Sequence, residues 1–138
     1  MITNERQDRI TKAQRDKFVA VAENLRASGY TPSDFRRNLE LRAVDSQVQE
    51  LQAQLAEYEG LRAGTVPVGQ VRSLDELPDV LIRARIASGL TQKALGERLG
   101  IQEQQVQRYE ANGWSGVSFS RLVKVADALG IWPFPNPD

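Results

Sequence analysis

The residues best equipped for chemistry lie in one run, Gln102-Glu103-Gln104-Gln105, with Arg108 a helical turn further on. A glutamine amide carries an acceptor and a donor side by side and can bond adenine at N6 and N7. An arginine guanidinium does the same with guanine at O6 and N7, and a carboxylate can accept from cytosine N4. This is recognition chemistry. The chain of 138 residues contains no Cys and no His. That excludes disulfides, thiol nucleophiles, Cys/His zinc sites and every Ser-His-Asp or Cys-His arrangement. No Gly-rich phosphate loop or paired-carboxylate motif is present, so no enzyme, metal or cofactor is expected. Lys and Arg number 18, as do Asp and Glu. Any affinity for nucleic acid must therefore come from a local pattern, because there is no global positive field.

The elements that must position this run are two short helices. Thr91 is placed to cap a helix over 92–99, and Gly100 ends it where a left-handed backbone is needed. A second helix is expected over 102–111. Leu95, Leu99, Ile101, Val106 and Tyr109 are its and its neighbour's apolar positions, read as core. Gly96 falls where the two helices must approach closely, and together these features describe two helices crossing over a tight glycine turn. Trp114 follows as either a lid on the core or a contact near a DNA backbone.

Leu95, Gly96, Leu99, Gly100, Ile101, Val106 and Tyr109 resemble the helix-turn-helix of the Cro/phage-repressor-like (Xre) regulators. Leu81, Arg85 and Gly89 match the helix before Leu90-Thr91-Gln92. Glu110 follows the second helix, and Leu122, Val125, Ala126, Leu129 and Gly130-Ile131 match a closing helix. The resemblance covers roughly residues 75–131 and implies a five-helix domain whose second motif helix enters the major groove. It places base contacts on Gln102, Glu103, Gln104 and Arg108, with Gln105 as a fifth. It places Gln92 against phosphate, with Lys93 beside it, and lets Ser118 or Ser120 cap the closing helix in the same manner. Arg83, Arg85, Arg98, Arg121 and Lys124 supply further local charge, or else surface ion pairs. The family often opens this helix with Ser or Thr, so Gln102 implies a weaker cap. The string Glu103 to Ala111, with a long helical N-terminal region, is similar to Xre regulators found as antitoxins or prophage regulators.

The N-terminal half reads as a polar arm and a helix carrying Phe18, Val21, Ala22 and Leu25, with Thr11 and Gln14 as a capping box. Gly29-Tyr30-Thr31-Pro32 breaks it, and Ser33 is expected to cap a long helix over 33–62, a rod of about 45 Å. Along the rod Leu41, Val44, Val48, Leu51, Leu55 and Tyr58 alternate spacings of three and four, a short heptad seam. Such a stripe must be covered, either by a second chain in a homodimer or by the 11–28 helix folding back. Residues 60–73, with Gly60, Gly64, Pro67 and Gly69, read as an extended linker that could pair briefly as a strand. Ser73 and Glu76 form another capping box. The expected organisation is all-α: an N-terminal helical, dimerisation region (1–62), a linker (63–73), a helix-turn-helix domain (74–131) and a Pro-rich tail (132–138). In the tail, Trp132 and Phe134 read as packing groups or a partner-binding segment.

No apolar run is long enough for a membrane span and no signal peptide is evident, so a cytoplasmic protein is expected. The first functional reading is a sequence-specific DNA-binding transcriptional regulator, a homodimer on an inverted-repeat operator. It would repress its own gene, with a cognate toxin as a protein partner. The other reading is a protein-interaction module that uses the same helices on a protein.

Overall fold

The computed structural model describes residues 1–29, 31 and 33–131. All regular elements among them are helical. They are α1 (Glu5–Ala27), α2 (Phe35–Ala63), a 3-10 turn (Leu74–Glu76), α3 (Leu77–Ala87), α4 (Gln92–Leu99), α5 (Glu103–Ala111) and α6 (Phe119–Ala128). The Pro-rich tail, Tyr30 and Pro32 lie outside the described residues. The chain divides into two compact units, Met1–Glu59 and the part from Gly60 onward. No helix among the described residues is long and apolar enough to cross a membrane.

In the first unit α1 and α2 run antiparallel. Lys12 pairs with Glu59 at 3.1 Å and Arg26 with Asp45 at 2.8 Å. The step from Lys12 to Arg26 matches that from Glu59 to Asp45 in length and opposes it in direction. The polar arm is not an arm: α1 begins at Glu5 because Asn4 adopts an extended backbone and its side chain accepts from the Gln7 N–H at 2.8 Å. Thr11 is therefore an interior residue. Ala22 is buried and Phe18 and Leu25 half-buried, whereas Val21 is exposed. The cap of α2 also moves by one residue, since Asp34, not Ser33, accepts from the Arg37 N–H at 3.3 Å. On α2 the single chain already buries Leu41, Leu51, Leu55 and Tyr58 and half-buries Val44 and Val48.

The linker forms no strand among the described residues. Instead α2 continues to Ala63 and the chain turns back on it. The Gly60 carbonyl accepts from the N–H of Thr65 at 2.9 Å and of Val66 at 3.1 Å. A Cβ at Gly60 would collide with the Val66 side chain, which explains a glycine inside a helix. Ser73 makes no side-chain cap, and Glu76 instead accepts from the Arg72 N–H at 2.8 Å.

The core of the second unit is Leu81, Ala84, Leu95, Val106, Trp114, Val125 and Leu129, with Leu99, Ile101, Tyr109 and Leu122 packed against it. Five helices are expected here, and among the described residues the unit has four, α3 to α6, with the three-residue 3-10 turn running directly into α3. Thr91 caps α4 by accepting from the Ala94 N–H at 3.0 Å. Gly100 closes α4 at φ 72°, in the left-handed region. A Cβ on Gly96 would sit 2.7 Å from the Ile101 carbonyl oxygen, so only a bare α-carbon lets the turn press this closely. Gly96→Ala is expected to cost about 1–3 kcal/mol through that backbone clash, read as a lowered urea midpoint at unchanged slope.

Candidate nucleic-acid interface

The inner face of α5 is fixed first. Val106 has no exposed surface, and Glu110, one turn on, is also buried. Glu110 meets Arg85 of α3 in a bidentate pair, Nε to Oε1 at 2.6 Å and Nη2 to Oε2 at 3.0 Å. The remaining Arg85 nitrogen donates to the Leu90 carbonyl at 2.9 Å. Gln92, the first residue of α4, is 4% exposed and hydrogen-bonds Glu110. Burial pushes the Glu110 carboxyl above its ordinary value, against the hydrogen bond and charge of Arg85 and the hydrogen bond of Gln92. One buried carboxylate thus joins α3, α4 and α5.

With that face committed, the outer face of α5 carries Glu103, Gln104, Gln107 and Arg108, all exposed. Gln102 occupies the cap position at φ −74° and ψ 152°, and its side chain makes no cap bond. Gln105 is half-buried, and its Nε2 donates to the Tyr109 hydroxyl at 2.8 Å. Lys93 is exposed on the first turn of α4. Neither it nor Arg108 has an ion-pair partner among the described residues. Ser118 caps α6 by accepting from the Arg121 N–H at 3.2 Å.

Several cations serve the fold. Arg85 is 3% exposed and belongs to the buried pair, not to a surface. Arg98 donates to the Ala128 carbonyl at 2.8 Å, closing the end of α6. Arg83 and Arg121 are half-buried and Lys124 is exposed. Trp114 is a lid on the core: it is 5% exposed, its backbone N–H donates to the Tyr109 carbonyl at 2.7 Å, and its φ is 58°.

Gln92, Lys93 and the α5 residues come from elements that meet at the glycine turn. All six proposed seam residues on α2 belong to the other unit. The sequence reading missed Gln107, which lies four residues after Glu103 and donates to its Oε1 at 3.5 Å. That i,i+4 spacing is the signal that places it on the outer face. It also missed the Arg85–Glu110 pair.

The family model described as helix-turn-helix (HTH_3) matches residues 81–131, from within α3 to just past α6. The match supports a DNA-binding regulator in general terms. Comparisons with curated proteins and with solved structures returned no match.

Arg85→Met leaves the Glu110 charge buried without its partner and is expected to cost about 3–5 kcal/mol, whereas adding Glu110→Leu recovers part of that loss. Urea unfolding of the two variants checks the ordering. The pH dependence has a definite sign. A carboxyl whose folded value is raised takes up its proton more readily in the fold. Its contribution to stability is full below the unfolded glutamate value and lost as pH rises through the raised one. Relative to Glu110→Gln, wild-type stability should therefore decline with rising pH across that window.

Proposed function

We propose that this chain, whose residues 81–131 match the helix-turn-helix family model, is a sequence-specific DNA-binding transcriptional regulator that represses its own gene. The observation that carries this reading is the division of α5 into two faces. One is locked into the core by Val106 and the Glu110 pair. The other presents Glu103, Gln104, Gln107 and Arg108 to solvent. Base edges are read by such side chains on the N-terminal part of a helix in the major groove. Arg108 suits guanine, Gln104 suits adenine, and the Glu103 carboxylate suits cytosine N4. Lys93, exposed on the first turn of α4, is suited to phosphate, whereas the buried Gln92 side chain is engaged with Glu110.

Two copies on an inverted repeat, with reading helices about 34 Å apart, fit the weak phosphate attraction of a neutral chain, since linked modules bind far better than one. The seam on α2 is largely covered within one chain, so pairing draws on another surface. The α1–α2 hairpin is left to hold a partner protein, such as a cognate toxin, in the cytoplasm.

Arg108→Ala and Gln104→Ala are each expected to weaken specific binding by about 1–3 kcal/mol and to relax one base position, while Lys93→Ala weakens all sequences alike. Anisotropy titrations on a selected operator measure both effects. Affinity should fall with rising salt through counterion release, with a slope set by the few unpaired cations of each module, and no salt dependence at all would favour a protein ligand instead.

A further inference from the structure

The polar residues at the start of the reading helix are not equivalent. Gln102 and Gln104 are exposed, and their side chains hold no hydrogen bond to any described residue. Gln105 is half-buried and anchored to the Tyr109 hydroxyl at 2.8 Å. Tyr109 is held in turn. Its ring centroid lies 5.5 Å from that of Trp114 at a tilt of 34°, and its backbone carbonyl accepts the Trp114 backbone N–H at 2.7 Å. The Gln105 side chain is thereby tied through two aromatic rings to the core.

The bond to Tyr109 engages one of the two amide N–H groups. The other N–H and Oε1 have no partner among the described residues, and an amide edge of that kind pairs with adenine N6 and N7. On the helix Gln105 stands three residues before Arg108, at the border of the exposed face. A side chain already held in place loses little freedom on binding and cannot swing away from a mismatched base. We propose that Tyr109 is a positioning residue that fixes the Gln105 amide for base reading, so that Gln105, and not the unanchored Gln102 or Gln104, sets the sharpest adenine preference. This deepens the DNA reading above and rests on it.

The test is selection of sites from a random DNA pool by the full chain, followed by affinities for the selected site and its single-base variants. Wild type, Tyr109→Phe, Gln105→Ala and the double variant are compared. Tyr109→Phe keeps the ring and should unfold thermally close to wild type. It should lose about three- to tenfold of the discrimination at one base pair, the worth of a single hydrogen bond. The other positions and the salt slope should be unchanged. Gln105→Ala should abolish preference at that same base pair, and adding Tyr109→Phe should then change nothing. A uniform loss over all sequences, or additive losses in the double variant, would overturn the role of Tyr109. A wild-type chain that selects no sequence would sink the DNA reading itself. A wild-type motif left intact by Tyr109→Phe would sink only this inference.

Discussion

The second unit depends on one buried ion pair, Arg85 with Glu110. A helix as polar as α5 has few apolar groups to hold it, Val106 foremost among them. Glu110 adds a directional tie, because a bidentate bond to a planar guanidinium fixes both the rotation of the helix and its advance along its axis. Gln92 and the Leu90 carbonyl satisfy what the pair leaves over, and both belong to the start of α4. Such a pair gives little net stability against apolar packing, since two charges must be stripped of water. Its value lies in register. The four outward residues of α5 are useful only if the helix sits at one rotation.

Much of this was legible in the sequence. The Thr91 cap, the Gly100 turn and the close approach at Gly96 followed from residue types whose backbone or side-chain needs are local. The caps of α1 and α2 were misread for the opposite reason. Asn4, Thr11, Ser33 and Asp34 are all competent caps, and only the neighbouring chain decides which is used. The ion pair was available to periodicity. Arg85 stands four residues after Leu81, and Glu110 four after Val106, so each lies on the most buried stripe of its helix. Two opposite charges on inward stripes have no alternative to meeting. Gln92 was harder to place, because the start of a helix turns toward solvent or core according to what the next helix offers it.

Neutral net charge and a nucleic-acid role are compatible once charges are sorted by what they touch. Arg85 is spent inside the fold and Arg98 on the end of α6. In the first unit Lys12 and Arg26 pair across the hairpin. The total therefore says little about the outer face of α5 and the start of α4, where Arg108 and Lys93 keep their charge unpaired among the described residues. The same sorting implies that few counterions are released per module. On the proposed DNA reading, discrimination would rest on hydrogen-bond geometry more than on attraction, which puts a premium on side chains that are held in place.

The hairpin shows why a heptad pattern alone does not specify a partner. The seam on α2 is short, and a narrow apolar stripe is satisfied by any helix of matching length. Here α1 is joined to α2 by a brief connection, so its local concentration exceeds that of a second chain under ordinary conditions. The charges agree with the covalent choice: Lys12 faces Glu59 and Arg26 faces Asp45 only when the two helices run in opposite directions. Burying Leu51, Leu55 and Ala22 between helices of the same chain leaves α2's outward residues to define what this unit can bind. Along most of α2 those residues are glutamine, glutamate, arginine and alanine, while its first turns also expose Phe35 and Leu39.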